Sequence, residues 1–428
     1  MGCAKNEVDS DHMSLRLRRA GYDIVADPEH ADVVVVNTCS FIQAATEESI
    51  EAILEAAGFE SIASGNAHLV VAGCMPARYG GELHEALPEV RDFITCSEEQ
   101  LIVQRIDEVL GIERLPGNAG AVDLGSGAAT SDARTFAYVK ISDGCDRFCS
   151  YCTIPSIRGR YHSFSENQIA AEVQRNVDLG AREIVLIAQD TGRWGSDLRP
   201  ASTLAVLVDH LAERFPDTWF RIMYIQPSGI SDELVGVVAR RGNVCSYFDI
   251  PFQHANGRIL KAMNRSGSGE RHLQLVRSIR ERIPDCTVRT TLIAGFPGET
   301  DEDFEELCAF VEEAELDYVG VFAYSREEGT RAYDLEGQLD EDEKAQRAQT
   351  LRDLADACCT PRIALRVGQE MDVLVCGAEE DGQLYGRAMC QAPDVDGVTY
   401  VDAGKAGDIV RVRIDDTLLY EMEGTVVA

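Results

Sequence analysis

Apolar runs alternate with segments of helical periodicity through the first 111 residues. Asp32–Cys39 contains the β-branched run VVVV and His68–Cys74 the apolar run LVVAG, as is typical of strands buried on both faces. Helical spacing follows the first run at Gln43–Ala57 and recurs at Glu98–Leu110. These patterns predict a small α/β domain over residues 1–111.

The same alternation continues, more regularly, from residue 135 to residue 365. Consecutive strand-helix units favour parallel strands, because right-handed crossovers return each strand to the same sheet. Six units predict a partial (β/α)6 barrel of the TIM type, with the functional site at the carboxyl ends of its strands. The strand candidates are Phe136–Ile141, Glu183–Ala188, Trp219–Ile225, Tyr247–Phe252, Thr287–Ala294 and Tyr318–Tyr324.

Two further segments complete the predicted organisation. Residues 112–134 are rich in Gly, Ala, Ser and Asp without apolar periodicity, which indicates a linker. Residues 366–428 contain five short strand-like runs separated by turn residues, which predict a five-stranded antiparallel barrel of the OB type. The expected fold class is therefore α/β, with a small terminal β-barrel.

The net charge of the chain restricts the classes of binding partner that are expected. The 428 residues contain 73 Asp and Glu against 40 Lys and Arg, a formal net charge of -33, which disfavours free nucleic acid. Such a charge suits a basic protein partner, or serves only solubility. No apolar run reaches the roughly 20 residues that span a bilayer. The amino terminus lacks the pattern of a secretory leader, so a cytoplasmic protein is expected, with no membrane partner.

Three closely spaced cysteines follow the first barrel strand. Cys145, Cys149 and Cys152 form Cys-x3-Cys-x2-Cys in GCDRFCSYC. Three thiolates on one loop can hold three irons of a 4Fe-4S cluster and leave the fourth open. Electron-transfer clusters use four cysteines, and zinc fingers separate two ligand pairs. The spacing therefore indicates a cluster with an open iron.

A second set of cysteines is spread through the first domain. Cys3, Cys39 and Cys74 are separated by about one β/α unit each, and the latter two end strands. If the three thiols converge at one rim, they can hold a cluster. Cysteines that only pack in the core would show the same spacing. Spacing alone leaves both interpretations open.

The chain resembles the radical S-adenosylmethionine superfamily in its three-cysteine loop, in Tyr151 before the last cysteine of that loop, and in the six β/α units around it. The first domain, with VNTCSFI and VAGCMPARY, resembles that of the methylthiotransferases, and residues 366–428 resemble their TRAM domain. This resemblance implies two 4Fe-4S clusters, one on Cys145, Cys149 and Cys152 and one on Cys3, Cys39 and Cys74. It also implies S-adenosylmethionine, cleaved to a 5'-deoxyadenosyl radical.

Three segments are similar to the ribosomal-protein branch (RimO type) of that family: GCAKNEVDS, DIPFQHAN and FAYSREEGT. The implied reaction is methylthiolation of the β-carbon of an aspartate in small-subunit ribosomal protein twelve, free or in the 30S subunit. The implied reductant is a protein such as flavodoxin or ferredoxin. A transfer RNA adenosine methylthiotransferase is the alternative, although transfer RNA suits the charge poorly. A non-enzymatic iron-sulfur protein that binds ribosomes is a further alternative.

The resemblance implies that six residues near the barrel mouth contact the cofactor. For Gln189, Gln253 and Arg289 the alternative interpretation is polar packing at the barrel rim. For Gly295 the alternative is a turn glycine without a ligand contact. No catalytic acid or base is identifiable, and His254 is either structural or in contact with substrate. The six predicted cofactor-binding residues are Tyr151, Gln189, Asp190, Gln253, Arg289 and Gly295.

The sequence departs from the family pattern at its start. Gly2 and Cys3 directly follow Met1, where relatives have a strand, so we expect an upstream start or a frayed terminus at Cys3. The radical loop continues as RGRYHSF, without the basic residues of relatives. The remaining cysteines match no ligand spacing and are predicted to pack in the core: Cys96, Cys245, Cys286, Cys308, Cys358, Cys359, Cys376 and Cys390.

Overall fold

The computed structural model describes residues 2–113 and 134–427. The predicted linker over residues 112–134 therefore lies almost entirely outside the described residues. In the described parts of the chain, no helix combines the length and the apolar character needed to cross a membrane.

The first part is a three-layer α/β unit around a parallel sheet in the order β1-β2-β3. Apolar residues of the central strand β2 are fully buried, as its continuous apolar run predicts. The elements are α1 (Ala4–Arg19), β1 (Val33–Thr38), α2 (Gln43–Ala57), α3 (Glu60–Ala63), β2 (His68–Gly73), α4 (Cys74–Tyr79), α5 (Glu82–Ala86), β3 (Val90–Thr95) and α6 (Ile102–Leu110).

The middle part is a partial barrel of six parallel strands. β4, β7 and β8 pair in that order, β9, β10 and β11 pair in a second set, and Phe220 bridges to Val244 between them. These elements are β4 (Phe136–Lys140), β5 (Ser142–Asp143), α7 (Ile154–Ile157), β6 (His162–Ser163), α8 (Glu166–Asp178), β7 (Glu183–Ile187), α9 (Leu204–Arg214), β8 (Trp219–Ile222), α10 (Asp232–Arg240), β9 (Tyr247–Asp249), α11 (Gly257–Ala262), α12 (Gly269–Arg282), β10 (Thr287–Ala294), α13 (Asp301–Ala314), β11 (Tyr318–Ala323) and α14 (Glu341–Ala364).

All six predicted barrel strands are present, and the helices between them complete the (β/α)6 pattern. Within the described residues, β4 and β11 do not pair with each other, so the barrel is open along one side. The carboxyl ends of the strands face the first α/β unit, since Thr153 of the three-cysteine loop donates to the carbonyl of Phe41 at 3.0 Å. The candidate site lies at this junction.

The last part is a closed five-stranded barrel in the order β12-β13-β14-β16-β15. Its pairs are antiparallel except β14 with β16, which run parallel, so the fully antiparallel prediction was wrong in this detail. Strands that alternate in direction cannot close a ring of odd number without one parallel pair. The strands are β12 (Glu370–Ala378), β13 (Leu384–Ala388), β14 (Thr399–Val401), β15 (Ile409–Leu418) and β16 (Glu421–Val426).

Candidate active site

The register of the first sheet brings the predicted cysteines together. Thr38 pairs with Gly73 across β1 and β2, so Cys39 and Cys74 are the next residues along two adjacent parallel strands. Cys3 directly precedes α1, and its thiol contacts that of Cys39, which in turn contacts Cys74. The structure thus gathers all three thiols at one edge of the sheet.

Gly2 allows the close approach of Cys3 to this edge. Its φ of +99° is a conformation that side chains disfavour, and a Cβ there would lie 2.9 Å from Cys39 Cβ. The start of α1 is therefore packed against the cysteine site and does not extend away from it as a frayed terminus.

Asn6 and Arg158 complete the surroundings of these thiols. Oδ1 of Asn6 lies 3.8 Å from Cys3 Sγ and 3.7 Å from Cys74 Sγ, and it accepts a 3.1 Å hydrogen bond from Arg158. The same guanidinium lies 3.7 Å from Cys74 Sγ. Hydrogen bonds from the Cys39 and Cys96 thiols, together with this positive charge, hold the pKa of Cys74 well below its usual range. The surroundings of Cys74 therefore favour its thiolate, the form that binds metal, whereas the same contacts raise the pKa of Cys39.

Cys96 belongs to the same cluster of thiols, and its prediction as a core packing residue was wrong. It is half-buried, and its Sγ lies 3.9 Å from that of Cys74. The available signal was its position directly after a strand, shared with Cys39 and Cys74. Among the other seven cysteines, Cys245, Cys286 and Cys359 are buried, while Cys308, Cys358, Cys376 and Cys390 are half-buried.

The second cysteine loop lies above β4 at the barrel mouth. Gly144, with φ of +72°, begins it, and a Cβ there would lie 2.2 Å from the carbonyl oxygen of Arg160. Arg265 approaches Cys149 Sγ at 4.0 Å. Burial raises the pKa of Cys152 to about 12. A thiolate at Cys152 therefore needs a strong positive charge nearby, such as a bound metal supplies.

Two predicted cofactor contacts meet beside this loop. The Tyr151 hydroxyl donates to Oε1 of Gln253 at 3.1 Å. Gln253 has φ of +72° and bridges to Leu292 of β10, so its strained backbone is fixed by the barrel. Both amide atoms of Gln189 are buried without any protein hydrogen-bond partner. Since such groups are rarely left unpaired in proteins, Gln189 is suited to bind a polar ligand at the mouth.

The other predicted contacts already have protein partners. Asp190 pairs with Arg147 at 2.6 Å, and Arg289 pairs with Asp249 at 3.0 Å. The nitrogen of Gly295 donates to the carboxylate of Glu299, and a Cβ at Gly295 would lie 2.7 Å from the Lys344 side chain. These contacts give each residue a structural role, whatever it adds to ligand binding.

His254 is enclosed at the same end of the barrel. Its ring is fully buried, with Nε2 3.2 Å from Glu299, and Nδ1 accepts from the nitrogen of Asn256 at 3.0 Å. Both ring nitrogens are therefore engaged with protein atoms, which favours the structural interpretation over substrate contact.

Buried ion pairs join the two cysteine sites, and sequence reasoning missed them. Arg158 pairs with Asp9 of α1 at 2.7 Å, and Lys140 pairs with Asp9 at 2.5 Å and with Asp143 at 2.6 Å. On the far side, Arg78 of α4 pairs with Glu327 at 2.7 Å. Glu327 belongs to FAYSREEGT, one of the segments that resemble the ribosomal-protein branch. That resemblance does not reveal the partner of Glu327.

We expect Glu327→Gln to loosen this junction. Glu327 also accepts from the backbone nitrogen of Gln43 at 2.9 Å, and the side chains of Arg78 and Glu327 are only 9% and 3% exposed. Because Gln keeps a hydrogen-bond acceptor for the guanidinium but loses the negative charge, the substitution should cost about 1–3 kcal/mol, less than full removal of a buried ion partner. Thermal unfolding should show a lower midpoint for Glu327→Gln, and the exposed neighbour variant Glu328→Gln should match the parent. Equal midpoints for the two variants would show that the Arg78–Glu327 pair does not stabilise the junction.

Three family models match successive parts of the chain. The family described as uncharacterized protein family UPF0004 matches residues 1–95, the radical SAM superfamily matches residues 139–311, and the TRAM domain matches residues 367–427. Their order agrees with the three structural parts described above.

Relatives and solved structures extend this match. The ribosomal protein uS12 methylthiotransferase RimO of Geobacter sulfurreducens is 41% identical over 437 residues, covering 100% of this chain and 97% of its own length. The enzyme of that name in Clostridioides difficile is 38% identical over 433 residues, with coverages of 100% and 97%. The radical S-adenosylmethionine methyltransferase TsrM of Kitasatospora setae shares the fold, with a TM-score of 0.52, 16% identity and coverages of 74% and 68%. Since the full-length identities are near 40% and all three domain models match, the chain belongs to the RimO family of radical S-adenosylmethionine methylthiotransferases.

Proposed function

We propose that this chain is the enzyme that methylthiolates the β-carbon of an aspartate in ribosomal protein uS12. The observation that carries the proposal is the pair of three-cysteine sites on facing sides of one junction, joined by Arg158. Full-length similarity to uS12 methylthiotransferases supports the substrate. One chain would thus carry two cysteine sites, one for C–H cleavage and one for sulfur insertion.

The two cysteine sets are assigned to two 4Fe-4S clusters. Cys3, Cys39 and Cys74 would hold one, and the other would be held by Cys145, Cys149 and Cys152. In such clusters each thiolate ligates a different iron. The thiolate-favouring edge at Cys74 and the buried Cys152 fit the clusters.

S-adenosylmethionine bound at the barrel cluster would supply the radical that removes hydrogen from the substrate carbon, and the other cluster would supply sulfur. The chain's own residues position these groups. The orphan amide of Gln189 and the Tyr151–Gln253 pair would contact the cofactor at the mouth. Asp190, Arg289 and Gly295 are assigned to the same cofactor site, where their protein contacts would hold them in place.

The same assignment implies which molecules the enzyme binds. We propose that the acidic C-terminal barrel, with 13 Asp and Glu against five Lys and Arg over residues 366–428, attracts basic uS12, free or in the 30S subunit. A protein reductant such as flavodoxin or ferredoxin would deliver electrons. The place of action would be the cytoplasm, where ribosomes and their proteins assemble.

Mass spectrometry of the reaction products tests the proposal. The reconstituted enzyme is incubated anaerobically with S-adenosylmethionine, reductant and either uS12 or transfer RNA. We expect a gain of about 46 Da on one aspartate of uS12, because CH3S replaces H. The same gain on adenosine would reassign the substrate, and the absence of any 5'-deoxyadenosine would overturn the enzyme assignment.

A further inference from the structure

We propose that Lys5 is a specificity-determining residue whose ammonium binds the side-chain carboxylate of the substrate aspartate. This inference rests on the proposed function, because it takes an aspartate of uS12 as the substrate. Its consequence is that the reacting β-carbon, which is bonded directly to the carboxylate carbon, is held between the two cysteine sites.

The first argument is the position of Lys5. It lies two residues after Cys3, and its ammonium is 3.3 Å from the centre of the Tyr224 ring in the barrel. Tyr224 follows β8 at the carboxyl ends of the strands, and its carbonyl accepts from the nitrogen of Thr191, two residues after Gln189. Lys5 therefore reaches from the site assigned to sulfur supply to the mouth assigned to the cofactor.

Both elements that place this ammonium are fixed by other contacts. Helix α1 is held against the barrel by Asp9, which pairs with Lys140 at 2.5 Å and with Arg158 at 2.7 Å. On the barrel side, the nitrogen of Tyr224 donates to Asp249 at 2.9 Å. The ammonium is thus positioned at the junction by the protein itself, before any ligand binds.

The second argument is the missing counter-ion. Lys5 is half-buried, and in the part of the chain that the structure describes no carboxylate forms an ion pair with it. The ring of Tyr224 does not supply the negative charge, because burial and the neighbouring Asp249 raise the pKa of its phenol. The other cations at this junction have carboxylate partners: Arg78 with Glu327, Lys140 and Arg158 with Asp9, Arg147 with Asp190, and Arg289 with Asp249.

A half-buried ammonium without a counter-ion is unfavourable, so an anion that reaches it gains affinity. The carboxylate of the substrate aspartate must come to this place, because the carbon beside it has to meet both the radical and the sulfur. An asparagine amide at the same position would leave the ammonium without a negative charge. Lys5 therefore provides a physical basis for selecting aspartate over its neutral analogue.

The test compares uS12 with a form in which the modified aspartate, identified by mass spectrometry of the parent reaction, is replaced by asparagine. Titration calorimetry gives the dissociation constants of both forms for the reconstituted full-length enzyme with S-adenosylmethionine and without reductant, so that no turnover occurs. Lys5→Leu and Lys5→Arg are measured beside the parent. Lys261→Leu is the matched control, since Lys261 is exposed on α11.

We expect the parent to bind the aspartate form about 10- to 150-fold more tightly than the asparagine form, the range for a hydrogen bond to a charged group. Lys5→Leu should lose most of this preference, whereas Lys5→Arg should keep most of it and Lys261→Leu should match the parent. The iron content of Lys5→Leu and its affinity for S-adenosylmethionine should stay at the parent's values, because Lys5 is assigned to neither cofactor.

An aspartate preference that is equal in the parent and in Lys5→Leu would overturn this inference alone. Weaker binding of S-adenosylmethionine by Lys5→Leu, with the aspartate preference unchanged, would also overturn it and would assign the ammonium to the carboxylate of the cofactor. If the parent reaction yields no methylthiolated aspartate in uS12, the proposed function itself fails, so the two failures are distinguished by the product of the parent enzyme.

Discussion

We expect Cys149→Ala and Cys39→Ala to separate the two halves of the reaction. Cys149→Ala should abolish both 5'-deoxyadenosine formation and methylthiolation, because the barrel loop then offers two thiols to its cluster. Cys39→Ala should leave 5'-deoxyadenosine formation in place and lower methylthiolation at least about 10³-fold, a barrier increase of about 4 kcal/mol. Chromatography of 5'-deoxyadenosine and mass spectrometry of uS12 measure the two activities in one reaction.

The different expectations follow from where each thiol lies. Cys149 is beside Arg265 at the barrel mouth, near Tyr151 and Gln253, whereas Cys39 ends β1 in the other unit. Cys286→Ala provides the control, since Cys286 is as buried as Cys39 but lies in the barrel core. Normal methylthiolation by Cys39→Ala would remove the sulfur-supplying role from the first site, and unchanged 5'-deoxyadenosine from Cys149→Ala would remove the radical chemistry from the second.

The sequence predicted the elements whose residues carry a local pattern. Helix α2 begins and ends at the predicted residues Gln43 and Ala57, because apolar spacing acts within a few positions. The six barrel strands have equally local signals in their buried apolar runs. The gathering of Cys3, Cys39 and Cys74 was foreseen through family resemblance, whereas their spacing alone left a core role open.

What the sequence did not reveal depends on contacts between distant segments. Helix α1 has no side-chain cap, and the alternation of its polar and apolar residues is weak, so no helix was predicted there. Arg78 and Glu327 are 249 positions apart, and a single ion pair leaves no periodic trace. Cys96 required the register of β2 with β3, in which Gly73 faces Thr95, and one residue of slip would have turned its thiol away.

Arg158→Ala should have the largest effect on the junction itself. The Arg158 side chain is 2% exposed and reaches Asp9 at 2.7 Å, Asn6 at 3.1 Å and Cys74 Sγ at 3.7 Å. Its removal leaves the buried carboxylates of Asp9 and Asp143 to share Lys140 alone. Breaking a buried ion pair from one side costs about 3–5 kcal/mol, because an uncompensated charge stays buried.

The expected outcome has two measurable parts. Thermal unfolding of Arg158→Ala should begin at lower temperature, and the reconstituted variant should retain about half of the parent's iron, since two similar clusters are assigned and only the N-terminal one loses its support. Arg158→Lys should recover part of the stability but less of the iron, because an ammonium cannot span Asp9 and Asn6 as the planar guanidinium does. Arg160→Ala, in the same loop but with a side chain 79% exposed, should match the parent in both measurements. Full iron content and parental unfolding in Arg158→Ala would show that the two sites are held together by other contacts, with the Arg78–Glu327 pair as the first to examine.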